Sequence, residues 1–487
     1  MAEDDERPPA ETGAKAAAPS TKTPRRRAAP AAPAAVPLPV QHAKAAKRSR
    51  PVITAAQDRQ LRALLLDCRR LLSERGEANG PGIAGGIAHQ LDALGDDARS
   101  RFFDQLARDF SPDPKQVLAA ALAYAHAPGN TEHLIRLTDT VEPPRQELFR
   151  RLNRAPGGTA ALVRLRSALL ERLPRQPALA GVEHDLLHLL SSWFNPGFLQ
   201  MRKVDWNSPA QLLEQIIHHE AVHEVDGWDD LRRRLQPDRR CFAFFHPQLP
   251  DEPLIFVEVA LVPELAGAIA PLIDKKSTPL APDQFKVAVF YSISNCQPGL
   301  RGVSMGNFLI KRVAEQLKRE LPQLKTFCTL SPIPGLMAWL QALWAPARDA
   351  ASVGNARAGL PQAATARAVH ALALLREAAG DDLAALTHAG TLAALPSAAH
   401  HALWRLAALY LVHRSPLPRG DPVARFHLDN GARLERLNAQ ANLSAKGLKQ
   451  SAALMVNYLY DLTRIETCHD RFVRGRVVHS RALSALL

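Results

Sequence analysis

Hydrophobic residues recur at helical spacing through the first part of the chain. Two stripes repeat at intervals of three or four residues, as on one face of a helix: Phe102, Phe103, Leu106 and Phe110, and then Leu162, Leu165, Leu169 and Leu173. Proline and glycine clusters separate these segments, and strand-like alternation is absent. We therefore predict an all-helical domain over residues 53–190.

The pattern changes after residue 190. Short runs rich in Val, Ile and Phe predict strands at Phe198–Val204, Cys241–His246, Leu254–Leu261, Lys286–Ser294 and Lys325–Leu330. Helical stretches are predicted at Pro209–His219, Trp228–Leu235, Met305–Glu320, Thr365–Ala379, Ala398–Arg414 and around Leu448–Ile465. Residues 191–487 are expected to form a mixed α/β domain with helical additions, which makes the whole chain an α+β protein.

Basic residues are concentrated near the N-terminus, where residues 13–50 contribute +9 and residues 1–12 contribute −4 to the net charge of +13. Residues 1–52 are rich in Ala, Pro, Lys and Arg and contain no aromatic residue, so we predict a disordered tail. Without them the chain carries +8, which is compatible with attracting a polyanionic substrate. A tether to nucleic acid is the alternative to a solubilising tail. No basic and aromatic residues interleave to support it, and we expect no nucleic-acid partner.

Composition also bears on the compartment. The five cysteines form no CxxC pair, as is typical of a reducing cytoplasm. No apolar run reaches the roughly 18 residues of a membrane helix. The acidic opening Ala2–Glu6 is unlike a signal peptide, and the chain does not end in the Ser-Lys-Leu peroxisomal signal. We expect a cytoplasmic protein without membrane contact.

A strand, a glycine loop and a helix give the strongest local signal. The loop Gln297–Gly306 follows the predicted strand Lys286–Ser294, and its glycines allow close approach to a phosphate at a helix N-terminus. Arg301-x-x-Ser304-x-Gly306 resembles the acyl-CoA loop of GNAT-type acyltransferases, with Ser304 where that superfamily usually has Gly. No Walker lysine is present, and a role in packing alone is the alternative.

A serine and a histidine are candidates for chemistry. Ser331 follows a predicted strand and precedes the turn Pro332–Gly335, which two prolines stiffen. His427 lies just before the predicted turn Asn430-Gly431 and could exchange a proton near neutral pH. A turn serine bonded to its own backbone and a structural histidine are the alternatives.

His219-Glu-Ala-Val-His223 matches the H-E-x-x-H motif of zinc proteases. That mechanism needs both histidines on one face of a continuous helix and a third ligand. Asp226-Gly227 follows closely, and no extension supplies a third histidine. Later glutamates could supply the third ligand, so spacing alone leaves a zinc site open.

Eight blocks between residues 193 and 460 together resemble the malonyl-CoA decarboxylase family. They are Glu220–His223, Trp228–Arg234, Arg239–Cys241, Phe290–Ser294, Gly299–Val303, Phe308–Arg312, Leu330–Gly335 and Phe426–Ala432. The helical region before them has the usual length and placement for this family. The family keeps Glu-Ala-Val-His without the preceding histidine, so the resemblance makes the zinc motif accidental.

The resemblance implies a helical oligomerisation domain, giving a dimer or tetramer, and a GNAT-like catalytic domain. Family members cleave malonyl-CoA to acetyl-CoA and CO2 with no metal or organic cofactor. The resemblance assigns the catalytic hydroxyl to Ser331, with Cys328 and Thr329 as weaker alternatives. It assigns the role of catalytic histidine to His427. The implied CoA contacts are Arg301, Gly302, Val303, Ser304, Met305, Gly306 and Asn307.

The expected chemistry follows from that substrate. Loss of CO2 leaves an enolate, which preorganised hydrogen-bond donors stabilise and which His427 would protonate. Ser331 would orient the malonyl carboxylate or act as the proton acceptor. The rival hypothesis is an acyltransferase that passes an acyl group from CoA to an amine, but the Ser331 and His427 blocks favour decarboxylation.

Overall fold

The first part of the chain is built from α-helices. The structure is a computed structural model that describes residues 54–74, 78–303, 309–344, 354, 357 and 359–487, so the predicted tail lies outside the described residues. The helices of this part are Ala55–Leu72 (α1), Gly80–Ala93 (α2), Asp96–Asp109 (α3), Pro114–His126 (α4), Thr131–Val141 (α5), Pro144–Asn153 (α6), Gly158–Arg172 (α7) and Ala180–Trp193 (α8).

Local signals set the limits of these helices. Thr54 begins α1 with a capping box, in which its hydroxyl accepts from the amide of Gln57 and the Gln57 side chain accepts in return. Asp113 caps α4, and Pro114 occupies the first helical position. The two predicted apolar stripes, on α3 and α7, face the helical core, where Phe102, Phe103, Leu106, Leu162 and Leu169 are buried.

A mixed sheet follows the helices. Its strands are Gln200–Val204 (β1), Arg239–Phe245 (β2), Ile255–Val262 (β3), Val287–Asn295 (β4), Thr326–Thr329 (β5), Ser331–Pro332 (β6), Arg433–Asn438 (β7) and Met455–Leu459 (β8). The order is β1-β2-β3-β4-β5-β8-β6, and β7 pairs with β8. The β4–β5 pair is parallel, and the other pairs of the sheet are antiparallel.

Both faces of the central strands are covered. All eight residues of β3 are buried, because one apolar cluster packs on one face of the strand and two smaller clusters pack on the other. The β3–β4 register shifts between Glu258 and Val259, which pair with Ser292 and Phe290. Tyr291 is therefore the extra residue of a β-bulge, which redirects the second half of β4.

Further helices surround the sheet. They are Ala210–His219 (α9), Gly227–Arg234 (α10), Ala270–Ile273 (α11), Leu309–Glu320 (α12), Leu336–Trp344 (α13), Gln362–Ala378 (α14), Ala389–Ala394 (α15), Ser397–Leu409 (α16), Pro422–Asp429 (α17), Ala445–Ser451 (α18), Ile465–Val473 (α19) and Arg481–Ser484 (α20). None of the helices among the described residues combines the length and the apolar character needed to span a membrane.

The prediction of a helix around Leu448–Ile465 is wrong. Helix α18 ends at Ser451, and strand β8 follows, paired with the unpredicted strand β7. Ala452 and Ala453 form the break with φ angles of 48° and 60°. Alanine is the best helix former, so two alanines in sequence do not indicate a turn. The strand that follows is short and buried, and it lacks the alternation of apolar and polar residues by which a strand is recognised.

The remaining predictions of this region agree well with the structure. The five predicted strands correspond to β1–β5, with ends that differ by at most two residues. An all-helical first part followed by a mixed sheet with added helices confirms the predicted α+β class.

Candidate active site

Strands β4 and β5 separate on one side of the bulge, and this leaves a cavity between them. Their parallel pairing runs to Phe290 opposite Thr329, and the last bond joins the amide of Leu330 to the carbonyl of Phe290. Beyond this hydrogen bond, β4 continues to Asn295. The segment that follows β5 leaves β4 and pairs with β8 at Ser331 and Pro332. The separation opens the sheet at the carboxyl ends of two parallel strands, where α/β proteins commonly bind ligands.

The cavity has a volume of about 300 Å³, and mainly apolar side chains enclose it. Its lining residues are Val222, Ile255, Phe290, Tyr291, Ser292, Ile293, Asn295, Ser331, Pro332, Pro422, Val423, Phe426 and His427. Both residues predicted for catalysis are among them. A small apolar chamber with a few convergent polar groups is the usual form of a substrate site.

Ser331 and His427 are in direct contact, although 96 positions separate them in the chain. The Oγ of Ser331 lies 3.0 Å from Nε2 of His427 and donates to Oγ1 of Thr329 at 2.8 Å. Oγ1 of Thr329 also accepts from the amide of Tyr458 at 3.2 Å. The serine hydroxyl is thereby held in one direction at the cavity wall.

Helix α17 carries His427 on its last turn, with the imidazole buried. Nδ1 lies 2.8 Å from the hydroxyl of Tyr460, and the ring stacks on Tyr458 at a centroid distance of 4.6 Å. Ser331 already donates to Thr329, so its oxygen accepts a hydrogen from Nε2. In the neutral imidazole Nδ1 then accepts from Tyr460, and Nε2–H is directed to the cavity wall.

Burial lowers the pKa of His427 from 6.5 to about 3. The cause is desolvation, because a charged imidazolium loses its hydration among apolar neighbours. The imidazole is therefore neutral at pH 7 in the protein without substrate.

The two weaker candidates for the catalytic hydroxyl do not line the cavity. Cys328 is fully buried in the cluster on the opposite face of the sheet, and burial raises the pKa of its thiol to about 12. Thr329 is fully buried as well and supports Ser331 through a hydrogen bond. Of the three, Ser331 alone lines the cavity.

Asp421 holds the two halves of the site together. Its Oδ1 accepts from the amides of Val423 and Ala424 and so caps α17, which carries His427. Its Oδ2 accepts from the amide of Gly335 at 2.9 Å, at the end of the turn after Ser331. Burial raises the pKa of the Asp421 carboxyl, and these amide bonds oppose the rise.

The glycine loop starts beside the cavity, two residues after Asn295. Pro298–Leu300 form a turn of 3₁₀-helix, and Gly302 follows with φ of 82°, a conformation that favours glycine. Of the predicted CoA contacts, Arg301, Gly302 and Val303 are described, with Arg301 and Gly302 exposed and Val303 buried. Ser304, Met305, Gly306 and Asn307 lie outside the described residues.

The H-E-x-x-H motif is not on one helix. Helix α9 ends at His219, and Glu220 is its C-cap with extended backbone. Both oxygens of Glu220 serve the local structure, because Oε1 accepts from the amides of Val222 and His223 and both oxygens accept from Ser292. The two histidines therefore lack the helical i, i+4 geometry of a zinc protease.

Sequence reasoning missed three residues of the site: Tyr458, Tyr460 and Asp421. The tyrosines lie two apart, at the end of β8 and just beyond it, and a helical interpretation placed them on different faces. Asp421 before Pro422 is an ordinary N-cap signal that could have located the start of α17. Nothing in the sequence shows that it also binds Gly335.

Comparisons with known proteins agree on one family. The model of the malonyl-CoA decarboxylase C-terminal domain matches residues 197–487, and that of the malonyl-CoA decarboxylase N-terminal domain matches residues 110–194. Mitochondrial malonyl-CoA decarboxylase of Anser anser anser is 36% identical over 390 residues, which are 75% of this chain and 74% of that protein.

Solved structures give the same result. Malonyl-CoA decarboxylase of Rhodopseudomonas palustris is 44% identical with a TM-score of 0.75, covering 87% of this chain and 99% of that chain. The enzyme of Agrobacterium vitis is 45% identical with a TM-score of 0.73, again covering 87% and 99%.

Proposed function

The chain belongs to the malonyl-CoA decarboxylase family, and we propose that it is a carboxy-lyase that converts malonyl-CoA to acetyl-CoA and CO2. The observation that carries the proposal is the contact between Ser331 and His427 at the wall of the cavity between β4 and β5. The cavity accepts the malonyl thioester, and the loop from Arg301 to Asn307 binds the CoA portion outside it.

The reaction begins with the loss of CO2 from the malonyl carboxylate. The bonding electrons move into the thioester and form an enolate with negative charge on its oxygen. Hydrogen-bond donors fixed around that oxygen lower the barrier, since they need no reorganisation as the charge develops. The CoA portion supplies remote binding energy that fixes the malonyl group in the cavity.

His427 protonates the enolate at Cα. The net reaction consumes one proton, because a carboxylate leaves as neutral CO2 and a C–H bond forms. The negative charge of the malonyl carboxylate beside His427 favours the imidazolium and so raises its pKa in the complex. Tyr460 at Nδ1 keeps the ring oriented with Nε2 toward the reacting carbon.

Ser331 orients the malonyl carboxylate. Its hydroxyl donates to Thr329 and accepts from His427, so the imidazole is not arranged as a base for the serine proton. An unaided serine is a weak base, and in the substrate complex its hydroxyl can rotate from Thr329 to donate to the carboxylate, which holds the malonyl group in the conformation that loses CO2.

The direct test is to incubate the purified protein with malonyl-CoA as sole substrate. We expect acetyl-CoA and CO2 to appear in equal amounts. Release that depends on an added amine acceptor would contradict the proposal and identify an acyltransferase.

We further propose that the helical region mediates self-association through helices α4 and α5. Ala120 is the single buried residue of α4, α5 has none, and five large apolar side chains on the two helices are exposed. These side chains, the apolar face, are Leu118, Leu122, Leu134, Ile135 and Val141. An exposed apolar patch on a folded protein is typical of an interface, and a second copy provides a matching apolar surface.

Light scattering after gel filtration tests this interface. We expect a dimer or tetramer for the natural chain and a smaller species for the double variant Leu118→Glu/Ile135→Glu. Leu66→Glu, which changes an equally exposed leucine on α1, is the control and should leave the mass unchanged. An unchanged mass in the double variant would show that the apolar face is not the interface.

A further inference from the structure

Arg166 of helix α7 is a charged side chain buried at the contact between the helical region and the glycine loop. It is 1% exposed and is among the largest fully buried side chains of the described residues. Its Nε and Nη2 donate to the two carboxylate oxygens of Glu183 on α8, at 3.0 and 2.7 Å. The carboxylate neutralises the buried guanidinium and fixes its plane.

The other donors of Arg166 bind the loop backbone. Nη1 donates to the carbonyl of Gly299 at 2.6 Å, and Nη2 donates to the carbonyl of Arg301 at 2.8 Å. The first carbonyl belongs to the 3₁₀ turn, and the second directly precedes Gly302, where the chain takes its left-handed conformation. One side chain from the helical region thus sets the direction in which the loop leaves its 3₁₀ turn.

Gly299 shows how closely the helix and the loop are fitted. A Cβ atom at this position would lie 2.0 Å from the backbone carbonyl oxygen of Val163 on α7. Leu300 and Val303 are buried in the same cluster as Val163. Since backbone meets backbone here, a shift of α7 would move the loop with it.

We propose that Arg166 is a positioning residue for CoA binding. It holds the glycine loop at Gly299 and Arg301, and Glu183 fixes the guanidinium of Arg166 in place. The inference rests on the proposed CoA-binding function of that loop. Replacing a buried ion pair by apolar residues is often neutral for stability, so stability alone is a weak reason for such a pair. The geometry instead makes the helical region part of the substrate site.

The test compares Arg166→Lys with Arg145→Lys. Lysine has one compact ammonium group and cannot reproduce four hydrogen bonds in two directions. Arg145 forms a buried ion pair with Asp185, also on α8, but binds none of the described loop residues, so its variant controls for the loss of a buried guanidinium. Steady-state kinetics with malonyl-CoA and titration calorimetry with free CoA are measured for both.

We expect the KM for malonyl-CoA and the Kd for CoA to rise about tenfold in Arg166→Lys, the effect of losing roughly one good hydrogen bond, with kcat within about twofold. Arg145→Lys should leave both constants unchanged. Glu183→Gln, which keeps the shape of the support and removes its charge, should change KM in the same direction, and it replaces Arg166→Lys in the comparison if that variant does not fold.

Unchanged KM and Kd in a folded Arg166→Lys protein would overturn the inference, as would equal changes in Arg145→Lys. The CoA titration separates this result from a failure of the proposed function. A natural chain that binds CoA but releases no CO2 would refute decarboxylation, while the effect of Arg166→Lys on CoA affinity would still decide the inference.

Discussion

At the scale of single residues, the site depends on a hydrogen-bonded series from Thr329 through Ser331 and His427 to Tyr460. The resemblance to the family indicated Ser331 and His427, and their side chains lie 3.0 Å apart in the structure. The supporting residues could not be found in this way. Thr329, Tyr460 and Asp421 act through contacts between distant segments, and these contacts exist only in the folded chain.

The buried histidine predicts a dependence of stability on pH. The pKa of His427 is about 3 in the folded protein, whereas in the unfolded chain it takes the ordinary value of 6.5. Between pH 3 and pH 6.5 the unfolded state therefore binds more protons than the folded state. This contribution to stability is complete above pH 6.5 and decreases as the pH falls toward 3. Between pH values of about 6.5 and 5.5, the loss is about 1 kcal/mol.

Urea unfolding of the natural chain and of His427→Gln at these two pH values measures this contribution. Burial raises the pKa of Glu258 to about 8, which gives a dependence of opposite sign, but that contribution is common to both proteins and cancels in the difference. The natural chain should lose more stability on acidification than the variant. Equal losses of stability in the two proteins would mean that His427 has its ordinary pKa in the folded state and would contradict the prediction.

At the scale of elements, the strands that carry the cavity were predictable and the strands that complete it were not. Strands β2 to β5 are runs of apolar and β-branched residues bounded by turn signals. Four of the six residues of β7 are polar or charged, and β8 follows two alanines in left-handed conformation, so neither strand shows a strand pattern. Missing β8 also meant missing the tyrosines that hold His427.

The glycine loop makes a prediction at this scale. Gly302→Val forces a β-branched residue into the left-handed region, at a cost of about 1–2 kcal/mol, although the nearest atom to its Cβ, on Leu187, lies 3.8 Å away. We expect the strain to displace the loop and raise the KM for malonyl-CoA about tenfold, with a smaller change in kcat.

Gly475→Val is the matched control for this measurement. Gly475 has φ of 77° and an open surrounding, and it does not line the cavity. The control should lose comparable stability and keep its KM. A KM for Gly302→Val equal to that of the control would contradict the assignment of the loop to CoA.

At the scale of the whole molecule, two regions with separate apolar cores meet at the glycine loop. The helical core and the core around the sheet were foreseen from the change of hydrophobic pattern near residue 190. The contact between the two regions through Arg166 and Val163 could not be predicted. In the sequence, a single arginine within a helical stripe looks the same whether it is buried or exposed to solvent. The basic cluster that first suggests nucleic acid lies in residues 13–50, which carry nine Lys or Arg and no acidic residue, and the +8 that remains without residues 1–52 suits an anionic CoA thioester.

The central claim, that the contact between Ser331 and His427 carries out decarboxylation, is tested most directly by CO2 release from malonyl-CoA by His427→Ala. The control variant is His246→Ala, which removes a buried histidine outside the cavity. It should release CO2 from malonyl-CoA at a rate similar to that of the natural chain. His427→Ala should retain the circular dichroism spectrum of the natural chain and lose about 10²–10⁴-fold in kcat, the usual contribution of a general acid. Turnover of His427→Ala at the natural rate would contradict the account.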